Sequence, residues 1–163
     1  MDYKKILEAV KAAHPDAIVP TEEGGEYLSV KPEAWLEVAV FLKENENLGF
    51  DSLMCITGFD LGAGQPLGIA YNFHSMKHLH KIEIRIMVDR DGGSLPSVAN
   101  IWRTADWHER EAYDMYGMTF EGHPDHRRML LPEDWVGHPL RKDYEMPDEY
   151  RGIPMPKDKR GWE

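Results

Sequence analysis

Residues His80 to Asp89 alternate: Ile82, Ile84, Ile86 and Val88 fall on one side and, apart from Met87, charged residues on the other. A period of two is the period of a strand with one face buried and one face wet. That single run commits the chain to a sheet covered on one side, and the flanking segments must supply the cover. Two of them do so at helical spacing. Ile6, Leu7, Val10 and Ala13 recur within Asp2–Ala13, with lysines opposite. Trp35, Leu36, Val38, Ala39 and Leu42 form the expected buried stripe of a helix opened by Lys31-Pro32, proline being suited to a first turn. Ala17–Val19, Glu26–Val30, Phe50–Asp60 and Leu67–His74 read as further strands, with turns at Glu22–Glu26 and at Gly62, Gly64 and Pro66. Pro96–Trp102 reads as a short helix capped by Ser94 or Ser97, and Trp107–Tyr116 as a longer one capped by Thr104 or Asp106 and stopped by Gly117. This order predicts an α+β two-layer sandwich: one mixed or antiparallel sheet with helices on one face.

The next stretch cannot continue that pattern. Gly122, Pro124, Pro132, Gly137 and Pro139 break residues 118–144, and each residue before a proline is pushed toward extended conformations. We expect a domain over residues 1–117 and an extended C-terminal arm over residues 118–163. An irregular arm must find hydrogen-bond partners for its backbone, on its own domain or on another chain. Met146–Glu163 carries too few apolar residues to pack on itself, so it should lie across a partner or be disordered alone.

Charge and cysteine content narrow the function. A net charge of −10 argues against generic nucleic-acid binding, because an acidic surface repels phosphate. No apolar run is long enough to span a bilayer, and the N-terminal residues lack a signal-peptide core, which predicts a cytoplasmic location with any membrane association made through partners. Cys55 is the only cysteine. An all-cysteine zinc or iron–sulfur site within one chain is therefore excluded, and the apolar setting of Cys55 suits a structural thiol.

Several titratable clusters could carry chemistry. Gly62-Ala63-Gly64 leads into a strand, not a helix, so it reads as a hairpin turn instead of a nucleotide loop. Of His74, His78 and His80 only His78 and His80 alternate onto one face, and a third metal ligand is not evident. His108, Glu111 and Asp114 fall three apart on the last helix and could in principle hold a metal, as could His123, His126 and His138; a stand-alone metal-dependent hydrolase is the corresponding alternative. The other reading is electrostatic: acids at a helix start, Arg110 one turn before Asp114, and a Glu109 carboxylate that faces inward and needs a cation from Arg127, Arg128 or a partner. Asp134-Trp135 and Arg141-Lys142-Asp143 read as interface anchors, since Trp and Arg concentrate at the energetic centres of interfaces. No serine sits in a nucleophile-elbow context, so the chain is not expected to hold reacting atoms itself.

The tract also carries a resemblance. Glu109-Arg110-Glu111, Asp114-Met115-Tyr116-Gly117, Phe120, Gly122-His123-Pro124, Arg127-Arg128-Met129-Leu130, Asp134-Trp135 and Gly137-His138-Pro139-Leu140-Arg141-Lys142-Asp143-Tyr144 stand in an order that resembles the C subunit of proton-pumping NADH:quinone oxidoreductase, respiratory complex I. Tyr116 and His126 depart from the residues common there. The resemblance implies a subunit without its own catalytic centre, in the peripheral arm on the cytoplasmic face of the membrane. It binds no cofactor; the iron–sulfur clusters, FMN, NADH and quinone belong to partner subunits. Its arm wraps the hydrogenase-like large subunit that forms the quinone cavity, beside iron–sulfur subunits. The residues expected to anchor the arm are Glu109, Arg110, Glu111, Asp114, His123, Arg127, Arg128, Asp134, Trp135, His138, Arg141, Lys142 and Asp143. The equivalent subunit of a membrane-bound nickel–iron hydrogenase, or of a ferredoxin- or F420-linked quinone oxidoreductase, is the alternative within the same resemblance.

Overall fold

A computed structural model describes residues 2–20 and 25–155. In chain order these form α1 (Tyr3–Ala13), β1 (Ile18–Val19), β2 (Tyr27–Val30), α2 (Trp35–Glu44), β3 (Ser52–Asp60), β4 (Leu67–Ser75), β5 (His80–Val88), β6 (Ser94–Pro96), α3 (Ala105–Tyr116), β7 (Thr119–Glu121), β8 (Glu149–Tyr150) and β9 (Ile153–Pro154). The turn expected at Glu22–Glu26 falls largely outside the described residues.

The alternating run becomes β5, and its even-numbered residues are all buried. It lies inside a five-stranded mixed sheet of order β1-β2-β5-β4-β3, paired parallel to β2 and antiparallel to β4. Ile82, Ile84 and Ile86 stand opposite Phe73, Tyr71 and Ile69 of β4. Removing such a side chain from water contributes about 1.5–3 kcal/mol, so one slip in register would cost the whole row. The helices cover this face. Trp35 of α2 packs on Tyr71 and Phe73, and Trp102 packs on Phe73 while its indole N–H donates to the Phe50 carbonyl at 3.0 Å. The two-layer α+β sandwich is the architecture the periodicity implies.

Two local expectations fail. Leu36 is 41% exposed and not part of the buried stripe. Pro96–Trp102 is not a helix: Ser94–Pro96 is a strand, paired parallel to β7 in a separate two-stranded sheet, and turns follow it. Its partner lies beyond α3, so no local period announced it. Beyond β7 the path is irregular, as the glycines and prolines demand, and ends in the β8–β9 hairpin. Residues 156–163 of the stretch expected to lie across a partner fall outside the described residues.

Candidate functional site: buried charges of helix α3 and the strap they hold

Helix α3 is unusual in what it buries. Glu109, Arg110 and Asp114 are inside, with Glu109 and Asp114 at 0% exposure. A buried ion costs several kcal/mol unless paired, so each must have partners. Those of Asp114 are on the arm. Arg128 Nη1 meets Asp114 Oδ1 at 2.6 Å, and the backbone N–H groups of Met129, Leu130 and Leu131 donate to Oδ2 at 3.1, 2.7 and 2.9 Å. Burial pushes the Asp114 carboxyl up, but the three amides and the guanidinium outweigh it and hold it below the ordinary range. Arg128 is used again: its Nη2 donates to the carbonyls of Trp135 and Gly137 at 3.1 and 3.0 Å.

The C-terminus of α3 explains residues 137–141. A helix ends with carbonyls that lack intrahelical donors. Gly117, at φ +77°, caps Tyr113 through its own N–H at 2.8 Å. The next three carbonyls are capped by the arm. His138 Nδ1–H donates to Asp114 O at 3.0 Å, Leu140 N–H to Met115 O at 3.1 Å, and Arg141 Nε–H to Tyr116 O at 2.6 Å. A guanidinium at this end also complements the helix dipole.

A second clasp joins the arm to the hairpin tips. Arg90 binds Asp60, the Gly62 carbonyl and, at 2.9 Å, Asp143. The Lys142 N–H donates to Asp60 Oδ2 at 2.7 Å, and Arg141 Nη2 donates to the Arg90 carbonyl at 3.0 Å. Burial raises the Asp60 carboxyl, yet Arg90 and the amides of Lys142 and Gly62 bring it down to about 2. Sequence reasoning misses Asp60 and Arg90. The only signal for them is a lone arginine between Asp89 and Asp91.

The other sequence candidates fall in distinct places. Arg110 does not pair with Asp114; it reaches the other way, to the Arg127 and Arg128 carbonyls at 3.2 and 3.3 Å and to Asp125 at 3.5 Å. Arg127 is exposed and paired with Asp125. Glu109 has no arginine opposite it. Ser97 Oγ donates to Oε2 at 2.5 Å and the Val98 N–H to Oε1 at 2.8 Å, with His123 Nε2 at 3.8 Å. Burial pushes its carboxyl up to about 7, the two hydrogen bonds offsetting only part of that and Asp106 adding to it. His123 accepts the Asp125 N–H on Nδ1, so its Nε2–H donates to the Asp106 carbonyl at 3.1 Å. Asp134 accepts from Tyr150 Oη and Arg151 Nε, and the Trp135 ring meets Tyr150 at 5.1 Å, tying the strap to the β8–β9 hairpin. Glu111 is exposed, on the side of α3 that faces β3.

With its carboxylate filled by Arg128 and three amides, Asp114 has no capacity left for a metal, and among the described residues no three His, Cys, Asp or Glu side chains converge as ligands. The hydrolase alternative has no support. Among the described residues no helix is long and apolar enough to cross a membrane.

Comparison with known proteins places this arrangement. Residues 28–158 match the family described as respiratory-chain NADH dehydrogenase, 30 Kd subunit. The NADH-quinone oxidoreductase C subunit of Chlorobium phaeobacteroides is 49% identical over 133 residues, covering 81% of this chain and 77% of that protein. The protein of that name from Chloroherpeton thalassium is 52% identical over 104 residues, 63% of this chain but only 43% of that longer protein. Among solved structures, a trypsin-resistant fragment of Nqo5 aligns with a TM-score of 0.62 at 28% identity, covering 77% of this chain and 99% of the fragment. A chain of an archaeal membrane-bound sulfane sulfur reductase shares the fold, with a TM-score of 0.65 at 19% identity over 88% of this chain and 85% of its own. The chain thus belongs to the family of the 30 Kd subunit of respiratory-chain NADH dehydrogenase, the C subunit of NADH-quinone oxidoreductase.

Proposed function

We propose that this protein is a cofactor-free structural subunit of the peripheral arm of NADH:quinone oxidoreductase, without catalytic activity of its own. Its strap holds the large subunit that forms the quinone cavity, on the cytoplasmic face of the membrane. FMN, the iron–sulfur clusters, NADH and quinone are held by neighbouring chains, and electrons pass through those neighbours. One observation carries this reading. The strap turns its clamping groups, Arg128, His138 and Arg141, inward on α3, while several of its apolar side chains are exposed beside its outer charges. Leu130, Val136, Leu140 and Ile153 are 58, 79, 52 and 64% exposed. Apolar groups presented in a row along an irregular, rigidly clamped segment suit a partner surface.

Affinity purification from the native membrane tests it. The wild-type chain should bring down flavin- and iron–sulfur-bearing subunits. Val136→Asp with Leu130→Asp, both on the outer side, should leave the fold intact and abolish their recovery. Nickel-site chains in the preparation would assign the hydrogenase-type assembly instead. Turnover of NADH or quinone by the isolated chain, or a redox centre within it, would overturn the proposal.

A further inference from the structure

The five-stranded sheet has two unequal edges. One is β1, two residues long; the other is β3, nine residues long. Folded proteins protect long edges with charge, proline, bulges or a covering segment, because the free amides and carbonyls of an edge recruit further strands. β3 reads Ser-Leu-Met-Cys-Ile-Thr-Gly-Phe-Asp, without proline or lysine, and its one acid, Asp60, is taken up by Arg90 and the Lys142 amide. A register shift between Leu53 and Cys55 interrupts its start, and Thr104 Oγ1 covers the Leu53 carbonyl at 3.1 Å.

The remainder opens on a cavity of about 200 Å³ lined by four consecutive residues, Cys55 to Gly58. Successive side chains of a strand point to opposite faces, so only the strand's edge can present all four to one cavity. The opposite wall is a stripe of α3, His108, Glu111, Ala112 and Met115, at the three- and four-residue spacing of one helix face, with the Tyr116 ring closing the end beside Gly58. Leu140 of the strap also lines it.

We propose that this groove receives an extended segment of a second polypeptide, which joins the sheet as a strand beside β3 and sets a basic side chain against Glu111. An open strand edge asks for extended backbone, the mode in which main-chain hydrogen bonds supply affinity and alternate side chains supply specificity. Ala112 and Met115 take a small apolar residue. Glu111 is an exposed acid in a lining that contains no lysine or arginine, on a chain of net charge −10, so the complementary segment is basic. The inference rests on the reading of the chain as an assembly subunit, but it uses the domain's edge and shares only Leu140 with the strap's exposed apolar residues.

Amide hydrogen exchange compares the full-length isolated chain with the assembled complex. The alternate amides of Cys55–Gly58 that point away from β4 should slow about a hundredfold on assembly, the others being paired with β4 already. Glu111→Arg should lower incorporation about tenfold relative to wild type, with Glu111→Gln between them. A photoactivatable maleimide on Cys55, the only cysteine, should cross-link to another subunit. Exchange at β3 that is unchanged by assembly overturns the groove proposal alone. So does protection of those outward-pointing β3 amides in the isolated chain, or cross-linking of Cys55 to its own chain or to a second copy. A wild-type chain that co-purifies with no other subunit overturns the assembly reading, and this proposal with it.

Discussion

At the scale of single residues, two carboxylates of α3 settle the same problem in opposite ways. Asp114 is ionised and saturated by Arg128 and three amides. Its lowered pKa contributes stability that is fully present above the unfolded value near 4 and is lost as pH falls through the folded value. Asp114→Asn should cost about 3 kcal/mol in urea unfolding at pH 7, because it leaves the Arg128 charge largely buried and unpaired. Glu109 has the reverse sign. With its folded pKa raised from 4.5 to about 7, the folded state holds the proton longer than the unfolded chain, so the contribution of Glu109 to stability is greatest below pH 4.5 and declines as pH rises to about 7. Glu109→Gln should flatten that slope while keeping the bonds to Ser97 and Val98, which denaturation at pH 5 and pH 8 would reveal. The pairing of Asp114 was legible only in part: Arg128 lies in the same charged tract, but helical spacing pointed to Arg110 as the partner and left Arg128 to Glu109. That of Glu109 was not: a buried carboxyl can be satisfied by a hydroxyl and an amide, groups that every stretch of chain offers.

At the scale of elements, the end of α3 is where domain and strap become one structure. Gly117 must adopt φ +77°, and a Cβ there would lie 2.5 Å from His138 Nε2. Gly117→Ala should therefore destabilise the chain by more than the ~1 kcal/mol of the left-handed backbone alone, and it should displace the His138 ring, readable as a shift of its imidazole NMR signals. The long elements were legible because each repeats its period several times. β6 was not, being three residues long and paired with a strand on the far side of α3. The clasp of Asp60, Arg90 and Lys142 was equally hidden, because nothing local marks a pairing across 82 residues.

At the scale of the whole molecule, the strap behaves as part of the folded body up to Asp143. Brief trypsin treatment of the wild-type chain should spare Arg110, Arg128 and Arg141, which are buried or half-buried among their partners, and cut the strap first near Arg151, which is exposed at φ +51° although it pairs with Asp134. In Asp114→Asn the first cuts should move to Arg127 and Arg128, as mass spectrometry of the fragments would show. The bond from the Lys142 amide to Asp60 has one more consequence, for the order of events during synthesis. A polypeptide leaves the ribosome N-terminus first, so the hairpin, Arg90 and α3 emerge long before the residues that close on them. A chain cut short before His138 keeps Asp60 bound to Arg90 but without the Lys142 amide, and leaves the Met115 and Tyr116 carbonyls without the donors that cap them once the strap closes, so the end of α3 stays unfinished until those residues have been made.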